Sequence, residues 1–453
     1  MGTDIRTDDR ALSMELIEQF SADFGSVPAN RIAMNAVTKS GVNAVATDRA
    51  AGIDMQFAFS EEIATGPVTN QKQSGRCWLF AGLNTIRSDI AKRNNMEPFE
   101  LSQSYQMFWD KFEKANYFLE RIFDTIEEDT DSRIVQWLLQ SPLQDGGQWD
   151  MFVNLVEKHG VVPQSVMPET FHSSKSYLMN RLLTKKLRKY ASDSRRAFRS
   201  GTTIEDLREQ KLTWMGEFYR LLCTFLGEPP SSFDFEYRDK DGEFHRHTDL
   251  SPLDFFQKFF GDDLRSYVSI INAPTADKPF GKTYTVKYLG NVEGGRNVFY
   301  LNVDIETVKQ VALAQIKAGE PVWFGCDVGQ MSDSEAGIMD TDLFDYEGAL
   351  NTTFAMTKAE RLDYGESLMT HAMVFTGANV VGERVNRWKV ENSWGKDRGK
   401  DGFFVMSDAW FNDYMYQVVV HRKYLPAELD AALNQDPVLL NPWDPMGSLA
   451  MMR

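Results

Sequence analysis

Three residue types that cooperate in acyl transfer stand far apart in this chain, each at the edge of a structured run. Cys77 lies in the stretch from Pro67 to Ile90, PVTNQKQSGRCWLFAGLNTIRSDI, where a polar loop carrying Ser74 and Gly75 turns into a helix. Leu79, Leu83, Ile86 and Ile90 follow at the spacing of one buried helical face. That spacing predicts Cys77 in the first turn of a core helix, where unpaired N–H groups and the helix dipole favour the nucleophilic thiolate. Gln71, six residues earlier, can bring its side-chain amide beside the sulfur, and together with the Cys77 N–H it would form an oxyanion hole. A small apolar cysteine capping a core helix has the same surroundings, so Cys77 alone does not decide between catalysis and packing. His371, in LMTHAMVFTGANV, begins a run that reads as a buried strand, and twenty-one positions later Asn392, in WKVENSWG, ends another. A cysteine nucleophile needs a base that takes its proton and returns it, and the base needs a third group that fixes its tautomer. Histidine and asparagine fit those two roles.

The segment Asn70-Gln71-Lys72-Gln73-Ser74-Gly75-Arg76-Cys77-Trp78 resembles the active-site segment of papain-like cysteine peptidases. The resemblance implies that Gln71 is the oxyanion glutamine and that Cys77, His371 and Asn392 form the catalytic triad. Asn392-Ser393-Trp394-Gly395 is a second motif of that family, in which the tryptophan, here Trp394, shields the Asn–His hydrogen bond from water. Gln144-Asp145-Gly146-Gly147 resembles the family's glycine pair, which implies that Gly146 and Gly147 hold an extended substrate backbone. Two departures from secreted members point to a cytosolic branch, that of bleomycin hydrolase and the bacterial aminopeptidase C. Position 74 is Ser, where secreted members carry a disulfide cysteine, and the Cys77-to-His371 gap is far longer than theirs. The ending Trp443-Asp444-Pro445-Met446-Gly447-Ser448-Leu449-Ala450 also matches that branch, so four motifs stand in the right order. In that branch the C-terminal arm lies in the cleft, where its terminal carboxylate blocks the far subsites and pairs with the free amine of the substrate. Ala450 is thereby a substrate-binding candidate, and Met451, Met452 and Arg453 are expected to be trimmed, by the enzyme itself among other routes.

The elements that must position these residues fall into a helical and a β-rich half. The expected fold class is α+β, a papain-like two-subdomain fold with a helical insertion and a C-terminal arm. The divisions expected are an N-terminal arm over 1–56, a helical subdomain with the nucleophile over 57–165, the insertion over 166–265, a β-rich subdomain carrying His and Asn over 266–425, and the C-terminal arm over 426–453. Periodicity predicts helices over Leu12–Phe24, Gln103–Phe123, Ser132–Gln140 and Trp149–His159, with the polar segment to Asp54 read as a wrapping arm. Strands are predicted over Tyr267–Ile271, Tyr284–Leu289, Val298–Val303, Val322–Cys326 and Gly402–Met406, with a helix near Ile305–Ala318. Pro437, Pro442 and Pro445 read as an extended tail that must lie on something.

Other signals in the chain are weaker. Nine basic residues and one acid, Asp193, lie between Lys175 and Arg199, interleaved with Leu182, Leu183, Leu187 and Phe198. This is an amphipathic helix or, as the alternative, a nucleic-acid patch. His245 and His247 could share one face of a hairpin, without further ligands at metal spacing. Gly281-Lys282-Thr283 lacks the first glycine of a phosphate loop, and the Asp239, Asp241 and Gly242 set lacks the remaining calcium ligands. Cys326 closes an apolar strand and reads as core.

Composition bounds the function. With 453 residues, 42% hydrophobic and 25% charged, the chain has the balance of a globular protein with a large core. Three cysteines, an odd number set far apart, argue against a disulfide framework and for a reducing compartment. The start, MGTDIRTDDRALSM, lacks the apolar core of a signal peptide, and Arg6 breaks a myristoylation motif after Met1-Gly2. No run is long enough to span a membrane, and the location expected is the cytoplasm. Sixty-five acidic against 49 basic residues give a charge of −16, which disfavours nucleic acid. The function expected is a cysteine aminopeptidase acting through a thioester on peptides with a free N-terminus. No cofactor, metal or membrane is expected, and the resemblance implies a homohexamer. The alternatives are an endopeptidase on the same scaffold and a nucleic-acid-binding protein using the basic insertion.

Overall fold

In the computed structural model, which describes residues 11–448, the helix that opens at Cys77 runs to Arg93 and is buried on nearly every side. Helix Trp149–His159 comes so close that a Cβ at Gly82 would lie 2.8 Å from the Phe152 ring, which explains the glycine in mid-helix. Helix Gln103–Asp124, capped by the Ser102 hydroxyl on the Tyr105 N–H, packs on the same core, with Arg133–Gln140 beside it.

One large sheet meets these helices. Its central strands, in spatial order, are Tyr267–Ile271, Met415–His421, Val322–Cys326, His371–Val381, Arg384–Glu391 and Phe403–Ser407. Alternate residues of the His371 strand face different cores: Ala372 and Val374 pack with the Cys77 helix, Met373 and Phe375 with Trp388, Phe411 and helix Ile305–Lys317. Two predicted strands differ in extent, running over Lys282–Val286 and Tyr300–Asn302, and the first ends before Tyr288, which turns into the left-handed region with φ 62°.

The two halves are fastened by a buried ion pair. Arg87 of the Cys77 helix donates to Glu391 Oε1 at 2.9 Å, and Asn84 Nδ2 reaches the same oxygen at 3.0 Å. Burial pushes the Glu391 carboxyl up, and Arg87 works against that shift. Removing one partner leaves the other charge buried, so Arg87→Met is expected to lower stability by about 3–5 kcal/mol. Adding Glu391→Gln is expected to recover part of that loss. Urea unfolding of the two variants checks this, and an Arg87→Met protein as stable as wild type would refute it.

Between the helical core and the sheet the chain forms helices Tyr177–Arg199 and Ile204–Leu226, the second capped reciprocally by Thr203 and Asp206. A two-stranded hairpin, Phe233–Arg238 with Phe244–Leu250, follows. The tail is less extended than its prolines predict. It holds a short helix Ala427–Ala432, a strand Val438–Leu440 parallel to Lys282–Val286, and a 3-10 turn Pro445–Gly447.

A second, smaller unit consists of residues up to Asp54 together with Thr341–Ala355. The polar segment read as an arm is helical here: Pro28–Ser40, Val42–Ala46 and Arg49–Asp54 follow Met14–Ser26. Pro28 sits at the first helical position, where its missing N–H costs nothing, and Gly41, with φ 83°, separates two of the helices. Asp48 N–H and Asp345 N–H bind the Leu343 and Ala46 carbonyls, which ties the later segment to these helices. Leu12, Phe20, Phe24 and Ile32 are exposed. The readings made on Met1, Gly2 and Arg6, and on Leu449, Ala450 and Met451–Arg453, lie outside the described residues.

Candidate active site

The register of one hairpin assembles the base. Strands His371–Val381 and Arg384–Glu391 pair antiparallel with Val374 opposite Glu391, so Asn392 leaves the second strand level with the start of the first. His371 Nε2 lies 2.9 Å from Asn392 Oδ1, and the same oxygen accepts the Ser393 N–H at 2.8 Å. A backbone N–H only donates, so the Asn392 amide presents its oxygen to both, and Nε2 carries the imidazole hydrogen. Nδ1 is left as the basic atom; it is buried and makes no hydrogen bond among the described residues. The Trp394 ring lies 4.9 Å from that of His371, centroid to centroid, and covers it.

Cys77 is the first residue of its helix, and Arg76, at the N-cap, makes no side-chain capping hydrogen bond. Burial pushes its thiol up to about 12, while the N–H groups of Ala372, Trp78 and Cys77 itself pull the other way. The Ala372 contact places the sulfur at the residue next to His371. Burial likewise drives His371 down to about 4, against the Asn392 bond, which raises it. Both shifts favour neutral thiol and neutral imidazole, whereas the helix-end reading of the sequence favoured a thiolate. With Cys77 and His371 at 1% and 0% exposure, withdrawal from water outweighs the helix end.

Gln71 is held from three sides. Its N–H donates to Ser393 O at 2.8 Å, its Oε1 accepts from Ser393 Oγ at 2.6 Å, and its Nε2 donates to Ser74 O at 2.7 Å. A carbonyl accepts only, so the amide orientation is fixed, and the second hydrogen on Nε2 remains for another acceptor.

The glycine pair has a packing reason besides an open backbone. A Cβ at Gly147 would lie 2.4 Å from the Trp78 ring, and Trp78 Nε1 donates to Asp145 O at 2.6 Å. Lys114 Nζ donates to Gly146 O at 2.6 Å and Lys111 Nζ to Gln144 O at 2.8 Å. The Asp145 carboxylate takes Lys111 Nζ at 2.6 Å and the Gly75 N–H at 3.0 Å, so one side chain joins this ledge to the nucleophile loop. Gly147 thus lies against Trp78, the residue after Cys77.

The tail ends its described course beside this site. Lys278 pairs with Asp444 at 3.0 Å and Tyr300 donates to Met446 O at 3.1 Å. Gln148 Nε2, next to Gly147, donates to Ser448 O at 2.7 Å, and Ser448 Oγ donates to Met369 O, two residues before His371, at 2.6 Å.

Sequence reasoning did not single out Ser393, Asp145, Arg87 or Glu391 as supports of the site. The signal available was their position inside or beside a motif already chosen. The weaker candidates stay apart from it. In helix Tyr177–Arg199, Lys189 and Arg196 both pair with Asp193, Lys186 pairs with Glu217, and Arg188 and Arg195 donate to backbone carbonyls of Leu139 and Thr125. His245 binds Asp239 at 2.8 Å and His247 binds Lys258 at 2.9 Å. Among the described residues no group of three or more His, Cys, Asp or Glu is placed to hold a metal ion, and no helix is long and apolar enough to cross a membrane.

A helical half and a sheet half meeting at a cysteine, a histidine and an asparagine describe the class of papain-like cysteine peptidases. The Peptidase C1-like family model matches residues 11–447, and the chain belongs to that family. It is 52% identical over 444 residues to aminopeptidase C of Listeria monocytogenes, covering 97% of this chain and 99% of that protein. Aminopeptidase C of Lactobacillus delbrueckii subsp. lactis is 45% identical over 444 residues, with coverage of 97% and 99%. The crystal structure of PepW from Lactobacillus rhamnosis HN001 superposes with a TM-score of 0.96 at 52% identity, covering 98% of this chain and 100% of that one.

Proposed function

We propose that this chain is a cysteine aminopeptidase that releases N-terminal residues from peptides through a thioester acyl-enzyme. The observation that carries the mechanism is the oriented His371–Asn392 bond, which leaves Nδ1 open as base beside the strand residue that touches the Cys77 sulfur. Cys77 Sγ attacks the scissile carbonyl carbon while its proton passes to His371 Nδ1. Gln71 Nε2–H and the Cys77 N–H receive the oxyanion. As the C–N bond breaks, His371 returns the proton to the leaving amine. Water then attacks the thioester with His371 again as base, releasing the acid and restoring the thiol. Gly146 and Gly147 line the substrate backbone, and Trp394 keeps water from the His371–Asn392 bond.

Exopeptidase specificity is supported by the names of the relatives and by the tail, whose Ser448 is bonded to Gln148 and Met369 beside the site. In this proposal the tail that reaches Ser448 restricts the cleft, and Ala450 is the candidate to meet the substrate's free amine. A free-amine aminoacyl fluorogenic amide is expected to be cleaved at least about a hundredfold faster than its N-acetylated twin. Equal rates would assign the alternative, an endopeptidase. Removing residues 449–453 is expected to raise cleavage of the acetylated twin.

Base chemistry requires neutral His371, so activity is lost as protonation fills Nδ1. With His371 driven down to about 4 by burial, kcat/KM is expected to hold as pH falls through the ordinary histidine range and to decline near pH 4. A pH–rate profile with its acid midpoint near the unperturbed value of about 6.5 contradicts this.

The protein works in the cytoplasm as a homo-oligomer, a hexamer by resemblance. Exposed Phe171, Tyr177, Leu178 and Leu182 on the insertion support association, and sedimentation velocity measures it. Nucleic-acid binding is the weaker reading, because several basic side chains of the insertion are already engaged within the fold.

A further inference from the structure

The residue before the nucleophile is a fully buried arginine with a ready-made set of partners. Arg76 Nη1 and Nη2 donate to the two carboxylate oxygens of Glu169, each at 2.9 Å, and Nε donates to Ser74 Oγ at 2.8 Å. Its guanidinium also lies over the Phe80 ring at 5.1 Å. Ser74 Oγ in turn donates to Gln71 O at 2.7 Å, and Ser74 O accepts Gln71 Nε2 at 2.7 Å. An unbroken chain of contacts therefore runs from Glu169 to the Gln71 side-chain amide.

The loop between Gln71 and Cys77 needs such a hold. Lys72 sits in the left-handed region with φ 53°, a conformation that is unfavourable for a non-glycine residue and persists only where its surroundings impose it. Glu169 is itself oriented. Ser173 Oγ donates to its Oε2 at 2.7 Å and Ser174 Oγ at 3.3 Å, both from the short helix Phe171–Ser174, which Thr170 and Ser173 cap reciprocally. The neighbouring backbone continues the attachment: Gln73 N–H donates to Ser174 O at 2.9 Å, and Ser176 N–H donates to Gln73 O at 3.3 Å. A two-pronged arginine–carboxylate pair fixes both distance and plane, which a single hydrogen bond does not.

We infer that Glu169 is a positioning residue for the reaction: through Arg76 and Ser74 it holds the Gln71–Cys77 loop so that the amide donor and the thiol face the same carbonyl. The inference rests on the reading of Cys77 as nucleophile and Gln71 as oxyanion donor. It also gives the 169–176 segment, at the root of the long helices, a part in the chemistry.

The test uses the full chain with Glu169→Ala and Glu169→Gln, and Cys77→Ala in parallel. Turnover of a free-amine aminoacyl amide is divided by the fraction of Cys77 alkylated with iodoacetamide, read from the Cys77 peptide by mass spectrometry, and melting temperature confirms that each variant is folded at the assay temperature. Glu169→Ala is expected to lower kcat per site about a hundredfold with KM within about twofold, the scale of a small misplacement of reacting groups. Glu169→Gln, which keeps the shape and one acceptor, is expected to lose about tenfold. Folded Glu169→Gln with kcat per site within about twofold of wild type, or a change confined to KM, overturns the inference. Should Cys77→Ala retain turnover, the nucleophile reading fails instead, and the two failures are told apart.

Discussion

Cys77→Ala is expected to lower kcat by about six orders of magnitude, leaving only what binding and the oxyanion donors supply. The size follows from the way the site is built. His371 Nδ1 makes no hydrogen bond among the described residues, and burial favours the neutral imidazole. Without the thiol, the base has only water to activate, and no covalent intermediate divides the reaction into two easier steps. Alanine fits the space, because the Cys77 backbone belongs to a helix held by Leu79, Leu83 and Ile86, each almost wholly buried. The variant is therefore expected to melt within a few degrees of wild type. Single-turnover assays with a fluorogenic aminoacyl amide decide the matter, and residual turnover within about a hundredfold of wild type would mean that another group attacks the carbonyl.

Much of this site is written locally in the sequence. The Cys77 helix announces itself through apolar spacing, and the strands at Tyr267–Ile271 and Val322–Cys326 match their apolar runs because both lie in the middle of the sheet. The helices between Pro28 and Asp54 were hidden because their exposed faces and polar composition give no clear buried stripe, and no residue of Pro28–Ser40 is buried. The protonation balance was hidden for a different reason. A helix N-terminus can be read from neighbouring residues, but the burial that outweighs it arises only when elements distant in sequence pack around Cys77. Glu391, Arg87 and Glu169 escaped for the same cause: a lone charge in a sequence looks like surface until its partner, drawn from another element, is seen beside it.

Gln71→Ala carries the second large expectation, a loss of about two to three orders of magnitude in kcat with little change in KM. The amide is already oriented before any substrate carbonyl reaches it. Ser393 Oγ holds Oε1 at 2.6 Å, Ser74 O takes one Nε2 hydrogen at 2.7 Å, and the other hydrogen is left to meet developing charge. A donor fixed in this way stabilises the oxyanion more than the ground-state carbonyl, so its removal appears in kcat. The same geometry predicts a graded partner effect. Ser393→Ala leaves the donor present but lets the amide turn, and a loss of about tenfold is expected, smaller than that of Gln71→Ala and absent when added to it, since two residues acting through one contact are not additive. Steady-state kinetics on the two single variants and the double variant test this. Independent, multiplying losses would detach Ser393 from the oxyanion donor, and a Gln71→Ala enzyme of undiminished kcat would remove Gln71 from the chemistry altogether.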